Sequence, residues 1–190
     1  VFDSEGNPIR FVGFNTDVTT QVEHQKALAH TAKHDSLTGL PNRFMFTEII
    51  EKSMAYSLRN NKLLTLLFMD LDGFKEVNDT YGHETGDCLL ISLAQRIKKV
   101  IRTEDIVARI GGDEFVLALT DIDTKENVGI FVERLLNDLA REVNCNSLNE
   151  KGLKVSASVG ISFYPQATDI GPEALLRQAD QAMYQAKSAG

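Results

Sequence analysis

The stretch RIGGDEFVLAL, residues 109–119, sets two glycines and two carboxylates side by side, directly before a run of apolar, β-prone residues. Gly111-Gly112 suits a two-residue hairpin turn whose central positions both favour positive φ, with DIVARI before it and EFVLAL after it as the strands. Asp113 and Glu114 then lie at the hairpin tip with no adjacent lysine. Carboxylates so placed repel each other unless a cation sits between them. Taken alone, the pattern is also that of a plain exposed turn.

A second acidic edge changes the weighing. In LLTLLFMDLDGFKEVND, residues 63–79, the apolar run 63–69 is too short for a typical helix and reads as a central strand buried on both faces. It ends by presenting Asp70, Asp72 and Lys75. Oxygen ligands at a strand end suit Mg²⁺, which keeps waters and substrate phosphates as its remaining partners. If the hairpin pairs beside this strand, Asp70 and Asp113 reach the same ion. Asp72 reads equally well as the N-cap of a helix starting near Phe74.

Outward from these strands the chain alternates helices with strands. SLTGLPNR is a loop, and Arg43 to Leu58 is an amphipathic helix with Phe44, Ile49, Ile50 and Met54 toward the core. FKEVNDTY is a short helix stopped by Gly82, DCLLISLAQRIKKVIR a long one, and residues 124–141 another. KVSASVGISFY, 154–164, reads as a strand, and PEALLRQADQAMYQAK as a closing amphipathic helix. The class is α/β or α+β, with helices packed on one sheet.

Composition bounds the function. A chain of 190 residues, 43% hydrophobic and 25% charged, is one domain of ordinary size with some room to spare. A formal charge of −7 argues against a nucleic-acid polymer as partner, because a broad basic face is absent. Phosphate must instead be met locally. The apolar run 63–69 falls far short of the roughly 20 residues that span a bilayer, so no membrane contact is expected. Cys88 and Cys145 lie far apart with no CxxC spacing and no partner histidines, so neither a disulfide nor a zinc site is expected and a reducing cytoplasm fits best.

The first residues carry a DSEGNP turn followed by IRFVGFN, which has strand character. They resemble the tail of a PAS sensor domain, whose last strand is followed by a turn like Asp17-Val18-Thr19. On that resemblance, residues 1–19 are the end of a sensor, 20–34 a helical connector, and 35–190 the main domain.

The main domain resembles the GGDEF family of bacterial diguanylate cyclases, through HDSLTGLPNR (34–43), MDLDGFKEVND (69–79), YGHETGD (81–87), RTED (102–105), RIGGDEF (109–115), SVGIS (158–162) and ADQAMYQAK (179–187). The resemblance implies a nucleotide-cyclase or polymerase-palm-like fold, a central mixed sheet of about five strands surrounded by helices. It implies condensation of two GTP into cyclic di-GMP and pyrophosphate with Mg²⁺ or Mn²⁺. By matching position, Asp70, the Leu71 carbonyl and Asp113 would hold metal, with Glu114 a second carboxylate at that edge and Asp113 assisting removal of the 3′-hydroxyl proton. Two ions about 3.5–4 Å apart would stabilise the attacking and leaving oxygens.

The same matching gives the substrate contacts. The amides of Gly73 and Phe74, with Lys75, would cradle phosphates, and Lys187 would reach the terminal ones. Gly111 and Gly112 would let the nucleotide lie against the turn. Asn78 and Asp87 would read guanine, since a carboxylate accepts from its N1–H and N2–H₂, with His83 supporting them. The arginine that the family carries four residues after Lys187 would fall just past Gly190. Arg102 and Asp105, with Arg134, would form a product-inhibition site, the arginine lying on guanine faces and phosphates. Two domains must face each other for catalysis, so a homodimer is implied, governed by the upstream sensor. The rival readings are a catalytically silent module binding GTP or cyclic di-GMP, and a cyclase of another nucleotide.

Overall fold

The computed structural model describes residues 4–7, 17–19, 31–122, 124–145 and 152–189. The chain divides into two compact units, Val1–Ala32 and Lys33–Gly190. In the first, the described residues hold a turn at 4–6 and a second turn in which the Thr19 amide donates to Asp17 Oδ1 at 2.9 Å. The strand IRFVGFN and most of the expected connector lie outside the described residues.

The second unit runs α1 (Arg43–Asn60), β1 (Leu64–Leu71), α2 (Phe74–Tyr81), α3 (His83–Val100), β2 (Ile106–Gly111), β3 (Glu114–Leu119), α4 (Lys125–Leu139), β4 (Ala157–Tyr164) and α5 (Pro172–Ala189). The sheet order is β2-β3-β1-β4, and every pairing is antiparallel. The mixed α/β class is as expected, whereas the sheet among the described residues has four antiparallel strands and not about five of mixed direction. The unbroken apolar run in β1 reports burial on both faces and carries no information on strand direction.

That double burial is visible in the core. Leu67, Met69 and Leu71 of β1 join Phe115, Leu117 and Leu119 of β3 on the face covered by α3 and α4. Leu64, Leu66 and Phe68 join Val116 and Ala118 on the opposite face, under α1 and α5. Alternate residues therefore feed two cores, as the period of a strand dictates. The molecule's second unit is a three-layer stack with β1 and β3 at its centre.

Several expectations shift. Phe44 does not face the core but is exposed, and Phe46 takes the buried position with Ile50 and Met54. α1 starts at Arg43 because Asn42 caps it, accepting from the Met45 amide. α3 begins at His83, four residues before the expected start at Asp87, because Gly82 (φ 83) turns the chain directly out of α2. β1 runs one residue past Asp70, to Leu71.

The cysteine expectation is overturned. Cys88 and Cys145 form a disulfide with a Cα–Cα separation of 6.1 Å. Their sequence separation of 57 is distance along the chain only. α3 packs against α4, and the residues after α4 return to the first turns of α3. No helix among the described residues is long and apolar enough to cross a membrane.

Candidate active site

β1 delivers one carboxylate and the β2–β3 hairpin delivers two. Asp70 stands directly opposite Glu114 in the β1–β3 register, and the Leu71 amide donates to the Asp113 carbonyl at 3.3 Å. The end of the buried strand and the hairpin tip are thus hydrogen-bonded neighbours, and Asp70, Asp113 and Glu114 share one edge.

The turn itself differs from expectation. Gly111 pairs with Glu114 as the last residue of β2, after an irregularity between Arg109 and Gly111, so the central residues are Gly112 and Asp113. Neither Gly111 nor Gly112 has positive φ. A Cβ at Gly111 would lie 2.9 Å from Glu114 Oε2 and would push that carboxylate aside. The Glu114 carboxylate folds back over the glycine it follows.

Crowding sets the electrostatics. Burial first, and then the Asp70 charge, push the Asp113 carboxyl above its ordinary range. Glu114 is raised by burial and by the charges of Asp70, Asp113 and Asp180. Lys187, in the last turn of α5, places its ammonium on Asp70 Oδ1, and this bond raises the lysine's own pKa. Sequence reading missed this pairing, because Lys187 and Asp70 meet only once α5 lies across β1.

Arg109 was missed as well. Its guanidinium donates to the Gly112 carbonyl from Nε (2.9 Å) and Nη2 (2.7 Å), and from Nη1 to both oxygens of Asp35 (2.9 and 3.1 Å). Its amide donates to the Pro41 carbonyl at 3.0 Å. One side chain therefore ties the hairpin tip to the loop 34–42. Burial raises the Asp35 carboxyl, but hydrogen bonds from the Thr38 hydroxyl and amide and from Arg109 outweigh it, and the net direction is down.

Close in sequence to the end of β1 comes the uncapped start of α2. Gly73 (φ 72) starts α2 with no side-chain cap, so the first amides of the helix face outward with their dipole end positive. Lys75 is exposed at the second position of α2. Asp72 does not cap this helix. Its carboxylate accepts from Ser156 Oγ (2.7 Å) and Ser158 Oγ (2.8 Å), and its amide donates to the Ser156 carbonyl at 3.0 Å. The start of β4 and the residue before it are thereby fastened to the turn that leads into Gly73 and Phe74.

At the far end of α2, Asn78 lies against Gly86, where any Cβ would overlap its Oδ1. The Gly82 amide donates to the Asn78 carbonyl at 2.9 Å, and Thr85 Oγ1 to the Tyr81 carbonyl at 2.8 Å. This closes the α2–α3 corner, with Asp87 and His83 exposed on its outer side.

The RTED stretch sits at the opposite end of the hairpin. Asp105 Oδ2 accepts from the Arg102 amide and Oδ1 from the Thr120 amide, each at 3.0 Å. Burial raises its pKa despite these bonds. Arg102, Asp105 and Arg134 line one cleft of about 340 Å³ with Ile130 and Phe131. Arg134 donates to the Val100 carbonyl at 3.2 Å. With strand residues advancing about 3.3 Å each, this cleft is about 20 Å from the acidic edge.

The acidic edge fits a hard divalent cation. Its donors are all oxygen, and their mutual repulsion is the charge such an ion would offset. Among the described residues no three His, Cys, Asp or Glu side chains converge to hold a metal unaided. Two carboxylates and a carbonyl completed by substrate phosphates is the coordination Mg²⁺ favours.

Residues 32–190 match the family described as diguanylate cyclase, GGDEF domain. The bifunctional diguanylate cyclase/cyclic di-GMP phosphodiesterase MucR of Pseudomonas aeruginosa is 39% identical over 90% of this chain and 24% of its own. Diguanylate cyclase TpbB of the same species is 36% identical over 87% of this chain and 37% of its own. The solved GGDEF domain of TpbB superposes with a TM-score of 0.78, at 36% identity, over 83% of this chain and 90% of that one. The coiled coil and GGDEF domain of DgcB from Caulobacter crescentus, solved in complex with c-di-GMP, gives a TM-score of 0.81 at 27% identity, over 91% and 90% of the two chains. This chain spans only about a quarter to just over a third of the length of these curated relatives. An acidic hairpin tip laid beside the aspartate that ends a buried strand, within one match covering nearly the whole second unit, places the chain in the GGDEF diguanylate cyclase domain family.

Proposed function

We propose that this domain condenses two GTP into cyclic di-GMP and pyrophosphate. The observation that carries the reading is the register opposing Asp70 to Glu114 with Asp113 hydrogen-bonded through its carbonyl to Leu71. Asp70, Asp113 and the Leu71 carbonyl are the residues that would hold Mg²⁺ or Mn²⁺. Bound there, the cation supplies charge neutralisation at the reacting phosphate.

The chain's own groups do the rest. The uncapped start of α2, through the Gly73 and Phe74 amides, with Lys75, binds phosphate oxygens. Lys187 turns from Asp70 to the terminal phosphates. Asn78 and Asp87, held at the α2–α3 corner and backed by His83, accept and donate along the guanine edge and disfavour adenine. Asp113 takes the proton of the attacking 3′-hydroxyl, while Glu114 over Gly111 keeps the edge negative; Gly112 leaves the approach open. Each domain binds one GTP, so a second copy supplies the other 3′-hydroxyl, and catalysis belongs to a homodimer. An upstream sensor of PAS type in the same chain would set how often that dimer forms. A GTP substrate places the domain in the cytoplasm.

The cleft of Arg102, Asp105 and Arg134 is the proposed product site, where cyclic di-GMP inhibits. The DgcB structure in complex with c-di-GMP supports a nucleotide ligand for the fold. This cleft is built independently of the acidic edge, which favours a second reading: a silent module that binds cyclic di-GMP. Incubation with Mg²⁺ and GTP or ATP, with products resolved by chromatography, separates the readings. Cyclic di-GMP from GTP alone, lost in Asp113→Asn, is the expected result. No product even from an artificially dimerised chain, with binding intact, would establish the silent module.

A further inference from the structure

The disulfide lies where the two halves of the proposed GTP site meet. Cys88 follows Asp87 in α3 and stands two residues from Gly86, on which Asn78 rests. Its partner Cys145 is 6% exposed, with Sγ 3.9 Å from the Thr85 carbonyl. The sulfur bridge is therefore anchored on the same helical turn that carries Asp87 and meets Asn78.

From Cys145 a chain of contacts leads to the phosphate end. Val143 and Leu153 exchange both backbone hydrogen bonds, at 2.8 and 2.9 Å. Three residues beyond Leu153, Ser156 and then Ser158 hold the Asp72 carboxylate, and Asp72 directly precedes Gly73. Upstream, Arg96 of α3 donates to the carbonyls of Asp138, Leu139, Arg141 and Glu142. The bridge thus joins the guanine corner to the segment that supports the phosphate turn.

Apolar packing also joins α3 to α4. α3 and α4 share Leu89, Leu93, Ile97, Leu135 and Leu139, all fully or almost fully buried, whether or not the sulfurs are joined. The sulfurs belong to no metal cluster among the described residues. Cys88 is only partly buried, whereas Cys145 is buried, so Cys88 is the more accessible residue of the pair. In reducing compartments disulfides are mostly transient, catalytic or redox-sensing, and GTP is a substrate found there.

We propose that Cys88–Cys145 is a reversible redox-modification site, and that its oxidised form tightens nucleotide binding by clamping the Asn78–Asp87 corner to the strap beneath Gly73. For its functional half this rests on the GTP reading above. The partner is a dithiol reductant or its disulfide. A thiolate of the dithiol attacks Cys88 Sγ, the S–S bond breaks, and Cys145 leaves as a thiolate that takes up a proton. The second thiol of the reductant then attacks its own sulfur in the mixed disulfide and releases Cys88, which is protonated in turn. The protein gains two electrons and two protons, and the dithiol becomes a disulfide. Oxidation is the reverse.

The test uses the full chain equilibrated with either reduced or oxidised dithiothreitol. Thiols are counted by alkylation and mass spectrometry, amide exchange is followed at residues 140–145 and 152–158, and GTP affinity is measured by calorimetry with Ca²⁺ in place of Mg²⁺ to prevent turnover. The expected result is two thiols after reduction, faster exchange in both stretches, and GTP binding weakened about fivefold or more. Reoxidation restores tight binding, and Cys88→Ser/Cys145→Ser binds weakly in both buffers. Unchanged exchange and affinity on reduction, or two free thiols under the oxidised couple, would overturn the proposal. Absence of GTP binding in every state would remove the cyclase reading, while the exchange measurement still decides the redox site by itself.

Discussion

Asp113 and Glu114 are held where they are costly to ionise. Both sit above their ordinary values of 3.8 and 4.5, through burial first and neighbouring carboxylates second. A raised folded pKa means stabilisation that is complete below the ordinary carboxylate range and is lost as pH climbs through the raised values. The cation-free domain is therefore expected to lose thermal stability from about pH 4 upward. Calorimetric melting across that range, with and without millimolar Mg²⁺, checks this, and Mg²⁺ should recover the loss at neutral pH. Asp113→Asn should raise the cation-free melting temperature, by no more than about 2 °C after solvent screening, while abolishing turnover. A second expectation concerns Gly86. Gly86→Ala displaces Asn78 and should raise the KM for GTP about tenfold, the equivalent of one hydrogen bond of about 1.4 kcal/mol, with the fold intact by circular dichroism. At this scale Asp70 and Asp113 were legible because acidic residues seldom end a core strand or crowd a turn without cause. Asp35 with Arg109, and Cys88 with Cys145, were not, because each is a meeting of residues brought together only by packing.

The hairpin β2–β3 owes its position to Arg109 more than to its glycines. Arg109→Ala removes the bonds to Gly112 and Asp35 together, and loss of charge-assisted bonds of this kind costs about 1.5–3 kcal/mol. The expected outcome is a lower melting temperature and a kcat reduced at least about tenfold, because the Asp113 tip loses its tether. Arg109→Lys should recover little, since an ammonium cannot fork between two acceptors. The depressed Asp35 carboxyl contributes stability present above its ordinary value and lost as pH falls through the folded one. Acid should thus undo the tether before it reaches the core, which hydrogen exchange in the loop 34–42 would register. The helices and strands were legible from periodicity, and the ends were less so. α3 starts at His83 because Gly82 turns the chain, and Gly111 belongs to β2 because the bulge near Ile110 shifts the turn by one residue.

The three-layer stack explains why the central strand, the buried Thr65 apart, is apolar until its end. Leu67 is fully buried beneath α3 and α4, so Leu67→Ala should cost about 2–5 kcal/mol, read as a melting temperature lower by about 5–15 °C. Its effect on kcat should be small where the domain remains folded. The class of fold was visible in the sequence because two-sided burial leaves a continuous apolar run. The antiparallel hairpin was visible too, but the directions of the strands beside β1 were not, because antiparallel and parallel neighbours bury that run equally well.

Lys187, seated on Asp70 at the end of the closing helix, gives the acidic edge its own counter-ion before any nucleotide arrives. The edge is thus partly neutralised from within, and a cation that is to reach Asp70 Oδ1 must first dislodge that ammonium. On the proposed reading, the cation that arrives with the triphosphate takes the ammonium's place at Asp70, and the freed ammonium meets the phosphates.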